Sequence, residues 1–166
     1  VQVVKDPLGS KGARLSTQIS VAGRMLVYIP FDPHIGISQR IDSEAERAQL
    51  RERLAKLVPP DEKGGFIVRT QAEGATDEEL QADLTYLRTL WASVQAAART
   101  QPAPSLLYRD LSLAQRVLRD IVGPQTGSIL VDSRTTAAEL TEWAQTYTPS
   151  VANRITHYSG ERPLFD

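Results

Sequence analysis

Along this chain, short stretches of β-type alternation give way to recurrences at every third and fourth residue, and each change of period marks an element. Thr17 to Ser20 and Met25 to Ile29 are brief β-prone runs separated by Val21, Ala22, Gly23 and Arg24, which predicts a hairpin with Gly23 at the turn. Pro30, Pro33 and Gly36 then predict an irregular loop leading into Ile37 to Ile41. Ser43 with Glu46 fits a capping box, and the helix it opens carries Leu50, Leu54 and Leu57 on one stripe before Pro59 and Pro60 end it.

After Gly64 and Gly65, the run Phe66 to Thr70 reads as a buried strand with two polar residues at its exit. Thr76 with Glu79 opens a second helix, in which Leu80, Leu84, Leu87, Trp91, Val94 and Ala98 recur at spacings of four and three. Pro102 and Pro104 stop it, so packing on a sheet is favoured over a coiled coil. Beyond that point strands and helices alternate: a strand at Ser105 to Tyr108, a helix opened by Ser112 and Gln115, a strand at Ser128 to Val131, a helix capped by Thr136 and Glu139, and a strand at Arg154 to Tyr158. The expected fold is α+β followed by α/β: a small β-sheet with one long amphipathic helix, then a partial βαβ unit. The change of style falls near residues 105 to 112. No internal repeat or low-complexity segment is present.

Composition adds exclusions. With 166 residues, 41% hydrophobic and 23% charged, the chain is long enough for an apolar core and close to the globular average. Its longest nearly continuous apolar run, Met25 to Phe31, falls far short of the roughly 20 residues a membrane-spanning helix needs. The absence of cysteine rules out disulfides and thiolate metal sites and points to the cytoplasm. The chain starts at Val1 inside what reads as a strand, which predicts a piece of a longer protein. Net charge is −1, so no attraction of the whole surface to nucleic acid is implied. Basic residues nonetheless crowd one end, where Lys5, Lys11, Arg14 and Arg24 stand against Asp6 alone; lysines guarding a strand edge would give the same pattern.

The candidate chemistry is sparse. No serine nucleophile elbow, Walker phosphate loop or dinucleotide glycine fingerprint occurs. His34 and His157 lack ligand spacing and read as structural or solvent-facing. Asp132 ends an apolar strand and would need an acidic partner for metal or acid-base chemistry; Asp110 and Asp120 are the possible companions, but Arg116 and Arg119 are their nearby ion-pair partners, and Asp132 reads as a capping or structural residue. The most suggestive feature is Arg69-Thr70 at a strand exit. A guanidinium can hold a phosphate through two charge-assisted bonds, and threonine offers a hydroxyl and a backbone N–H. Such bonds contribute roughly 1.5 to 3 kcal/mol each, enough to separate a phosphorylated end from a bare hydroxyl by at least about tenfold. Neighbours in a regular strand point to opposite faces, so convergence requires the strand to break there or Thr70 to use its N–H. The competing reading is a surface ion pair.

The blocks VQVVKDPLGSKGAR, LSTQIS, LVYIP, GISQRI, GGFIVRT, PAPSLLY, LAQRVLRD, VDSR and HYSGERPLFD, in order along the whole chain, resemble the ribonuclease E/G family of bacterial endoribonucleases. SQRI and LAQRVLRD lie nearer to its ribonuclease G branch. The resemblance implies residues 1–18 as the end of an RNA-binding S1 domain, 19–114 as a 5′ sensor and 115–166 as an RNase H-like subdomain. The S1 base-stacking aromatics would precede Val1. A DNase I-like domain carrying the catalytic aspartates and Mg2+ would follow, so no catalytic residue or metal ligand is expected in this segment. It further implies that Arg69 and Thr70, with Gly23 and Val27, bind the 5′-monophosphate of single-stranded RNA, and that Lys5 and Lys11 contact its backbone. In this role Gly23 would allow close approach and Val27 would pack the terminal nucleotide. Where ribonuclease E has SRRI, this chain has Ser38-Gln39-Arg40-Ile41, leaving Arg40 as the available arginine. The implied parent is a cytoplasmic, Mg2+-dependent, homo-oligomeric endoribonuclease of rRNA maturation and mRNA decay. A non-catalytic RNA-binding or assembly module is the alternative.

Overall fold

The computed structural model describes residues 1–163; the last three letters of the closing HYSGERPLFD block fall outside them. It is a mixed α/β protein of small sheets and several helices, in two compact units, Val1–Trp91 and Ala92–Asp166. The division falls within the long helix, upstream of the change in sequence pattern.

The first unit begins with an antiparallel pair, β1 (Gln2–Lys5) and β2 (Arg14–Ser16). Thr17 to Ser20, expected as a strand, is not one. Backbone groups there are satisfied by a side chain instead: the Gln2 amide donates to the Ser20 carbonyl and accepts from the Ser20 N–H, both at 2.9 Å. The strand begins later, at β3 (Val21–Ala22), and the turn moves to residues 23–26, closed by the Gly23 N–H on the Leu26 carbonyl at 2.8 Å.

With β4 (Leu26–Ile29), β5 (Ile35–Ile37) and β6 (Gly65–Val68), β3 forms a sheet ordered β3-β4-β6-β5, in which only β5 and β6 are parallel. Two helices supply its apolar cover. In α1 (Glu44–Leu57), the Ser43 hydroxyl accepts the Glu46 N–H, and Leu50 and Leu54 are buried. In α2 (Asp77–Thr100), Thr76 and Glu79 exchange both capping-box bonds. Leu80, Leu84 and Leu87 join Leu26, Ile41, Phe66 and Val68 as fully buried side chains, as the three-and-four spacing requires.

In the second unit, Ser105 to Tyr108 forms no strand: Leu106 is 65% exposed and no strand among the described residues pairs with it. An apolar run without a partner for its N–H and C=O groups has no ladder to join. The capping box at Ser112 and Gln115 opens α3 (Leu113–Asp120) as expected. The next helix, α4 (Arg134–Tyr147), starts earlier than its pattern suggested, because Ser133 and not Thr136 is the cap. A short α5 (Pro149–Ala152) leads to β8 (Ile155–His157), which pairs in parallel with β7 (Ile129–Val131). Leu118, Leu140, Ala144 and Val151 form the core of this unit.

Candidate functional site

Antiparallel register determines what meets at one end of the four-stranded sheet. Leu26 pairs with Val68, so the next residue of β6, Arg69, lies beside the β3–β4 turn, and its N–H donates to the Met25 carbonyl at 2.8 Å. β6 stops at Val68, and after the extended Arg69 a 3-10 turn runs over Thr70–Ala72. The strand therefore breaks between the two candidate residues, which removes the constraint that would send them to opposite faces. Both are half-buried.

Arg69 Nη1 donates to the carbonyls of Gly23 at 2.7 Å and Arg24 at 3.2 Å. Its Nε and Nη2 have no partner among the described residues, and it forms no ion pair among them, unlike the surface pair that was the competing expectation. The Nε–Nη2 edge is one of the guanidinium faces suited to a bidentate phosphate or carboxylate contact. The Thr70 hydroxyl has, among the described residues, only a long 3.4 Å contact with Gln71 Oε1.

Strand alternation puts Val27 and Ile67 on the same sheet face as Arg69, opposite to buried Leu26, Phe66 and Val68. Val27 is half-buried and Ile67 is 37% exposed. The loop bearing Arg40 reaches this end as well: Ser38 N–H donates to the Val68 carbonyl at 2.8 Å, and the Arg40 N–H donates to the Ser38 hydroxyl at 3.3 Å. Arg40 itself is exposed. Lys5 is exposed on the separate β1–β2 sheet, opposite Arg14, and Lys11 is exposed in the loop joining those strands, bridged to Leu8.

Sequence reading missed Asp83. It lies in α2 between Leu80 and Leu84, is 8% exposed, and accepts three consecutive turn N–H groups: Arg24 at 2.9 Å, Met25 at 2.9 Å and Leu26 at 2.8 Å. Hydrogen bonds to a charged group contribute roughly 1.5 to 3 kcal/mol each, which offsets the burial of the carboxylate. The signal was present in the sequence, as an acidic residue at an apolar position of a helical stripe. Gly23 belongs to the same contact, because a Cβ there would lie 2.5 to 2.8 Å from the Asp83 carboxylate.

Elsewhere, Asp110 and Asp120 pair with Arg116 and Arg119 as expected. Asp132 is exposed just before the Ser133 cap. His34 and His157 lie in different units, and no group of three or more His, Cys, Asp or Glu suited to a metal occurs among the described residues. No helix among them is long and apolar enough to cross a membrane.

Comparison with known proteins bears on the whole chain. Ribonuclease G of Salmonella typhimurium (strain SL1344) is 47% identical over 166 residues, covering 100% of this chain and 34% of its own length. Ribonuclease G of Escherichia coli (strain K12) is 46% identical with the same coverage. Ribonuclease E of Nostoc sp. (strain PCC 7120 / SAG 25.82 / UTEX 2576) is 38% identical over 169 residues, covering 100% of this chain and 24% of its own. The chain thus spans about a third or less of the length of these relatives. Since the family model described as "Ribonuclease E/G family" also matches residues 20–166, the chain belongs to the ribonuclease E/G family.

Proposed function

We propose that the end of β6 and the β3–β4 turn form a 5′-monophosphate sensor for single-stranded RNA, within a sensing and scaffold segment of a bacterial endoribonuclease. The observation that carries this reading is the Arg69 guanidinium, fixed through Nη1 to two turn carbonyls with its Nε–Nη2 edge unpartnered among the described residues. In the proposed complex that edge grips the phosphate, Thr70 adds its hydroxyl and N–H, and Val27 with Ile67 packs the terminal nucleotide. Residues 1–18, 19–114 and 115–166 correspond in this reading to the S1 end, the 5′ sensor and the RNase H-like subdomain. The parent enzyme, cytoplasmic and homo-oligomeric, would act in RNA processing and decay with Mg2+ held by residues outside these 166. That metal would supply an activated water. This segment alone would not cut.

The test compares a short single-stranded RNA bearing a 5′-monophosphate with its 5′-hydroxyl twin, each titrated against the full-length protein and its Arg69→Ala variant. Preference for the phosphorylated end is expected to fall by at least about tenfold in the variant. Equal affinities in all four combinations would instead favour the non-catalytic RNA-binding or assembly module, in which the double carbonyl contact of Arg69 is purely structural.

Lys5 and Lys11 have a different expected signature. If each neutralises one phosphate, Lys5→Ala and Lys11→Ala should each make the slope of log K against log salt shallower by about 0.7, with the preference between RNA ends unchanged. Salt slopes identical to the parent's would remove both lysines from the interface.

A further inference from the structure

Asp83 is a buried charged residue within α2, and the proposed recognition chemistry leaves it without a role. Its contacts share a feature with those of Arg69. The peptide group joining Gly23 to Arg24 carries the Arg24 N–H, which Asp83 Oδ1 accepts, and the Gly23 carbonyl, which Arg69 Nη1 donates to. The next peptide group carries the Met25 N–H, held by Asp83 Oδ2, and the Arg24 carbonyl, also a partner of Nη1. In a planar trans peptide the N–H and C=O point in opposite directions. Carboxylate and guanidinium therefore hold opposite ends of the same two peptide groups, and each polarises them in the sense that strengthens the other's bonds.

We infer that Asp83 is a positioning residue for 5′-phosphate recognition: by drawing the N–H groups of Arg24 and Met25 inward, it turns the carbonyls of Gly23 and Arg24 outward to fix Arg69 Nη1 and aim the Nε–Nη2 edge. The inference rests on the sensor reading above. Asparagine in place of Asp83 would not reproduce the arrangement, because its NH2 group would oppose at least one turn N–H where the carboxylate has an acceptor oxygen. Gly23 is required because any side chain would displace the carboxylate, whose nearest oxygen lies 2.5 Å from where a Cβ would stand.

The experiment measures Kd for 5′-monophosphate and 5′-hydroxyl RNA in the full-length protein and its Asp83→Asn, Arg69→Ala and doubly substituted variants, below their melting temperatures. Asp83→Asn is expected to lose at least about tenfold of the preference for the phosphorylated end, with affinity for the 5′-hydroxyl RNA unchanged. The double variant should lose no more than Arg69→Ala alone, as residues acting through one contact do. A purely structural role would weaken binding of both RNAs together, and that result, or an intact preference in folded Asp83→Asn where Arg69→Ala abolishes it, overturns the inference alone. An intact preference in Arg69→Ala overturns the sensor reading and the inference with it. Should Asp83→Asn fail to fold, Gly23→Ala, which displaces the carboxylate without removing its charge, is expected to lose the same preference; retention there overturns the proposal.

Discussion

Gly65→Ala is expected to destabilise the first unit by about 3 kcal/mol or more, read as a large drop in the urea midpoint. A Cβ at Gly65 would lie 2.1 Å from the His34 carbonyl oxygen, 2.3 Å from that of Asp32 and 2.6 Å from the His34 nitrogen. All three are backbone atoms, so no rotamer change relieves the overlap, and the β5 entry would have to leave β6. That movement would break the 3.0 Å bond from the Phe66 N–H to the His34 carbonyl and unseat Phe66, which is fully buried. Gly12→Ala is the control: nothing lies within 4 Å of its would-be Cβ, and its effect should stay within about 0.5 kcal/mol. A Gly65→Ala protein as stable as the Gly12→Ala control would show that the β5–β6 junction is not packed as described.

The second large effect is expected at Glu62. Its side chain, 9% exposed, accepts from the Tyr28 hydroxyl at 2.7 Å, Arg88 Nε at 3.0 Å, and the N–H groups of Lys63 and Gly64 at 3.1 Å each. Glu62→Ala leaves these donors unmatched and should cost about 3 kcal/mol, the low end for a broken buried pair, because Arg88 is 40% exposed and water takes up part of its charge. Burial alone would raise the Glu62 pKa. The Tyr28 hydroxyl, the Gly64 N–H, the Arg88 charge and the Lys63 N–H outweigh it and hold the carboxyl below its ordinary value.

A depressed carboxyl pKa contributes stability that is complete above the unfolded value of about 4.3 and is lost as pH falls through the folded value. Tyr28 works at the other limb. Burial, then the hydrogen bond to Glu62 and its negative charge, raise its pKa despite the opposing Arg88 charge. A raised phenol pKa contributes stability present below the unfolded value of about 10 and lost as pH rises through the folded one. In Glu62→Gln, both dependences should weaken, so the stability gap to the parent, measured by urea unfolding, narrows in acid below about pH 4. A gap independent of pH would mean that Glu62 is not ionised in this contact.

Local signals were read well where one residue type leaves few options. The caps at Ser43, Thr76 and Ser112 hold, and Leu80, Leu84 and Leu87 are buried as their spacing demands. The misreadings share a cause. Thr17 to Ser20 and Ser105 to Tyr108 have strand-like composition, but β structure requires a partner, and pairing is not encoded in the run itself. At Thr136, a second acceptable cap lay three residues upstream at Ser133, and local pattern could not choose between them.

Residue type and short-range period were enough to reveal the family resemblance, the helices with their buried faces, and Arg69-Thr70 as residues with phosphate-binding chemistry. Folding in three dimensions was needed to end β6 before Thr70, to set Arg69 against the turn at Gly23 through antiparallel register, and to tie that turn from below to Asp83, 57 to 59 residues distant. Those contacts arise from strand pairing and from the packing of α2 beneath the sheet, and both bring together residues that the linear order keeps apart.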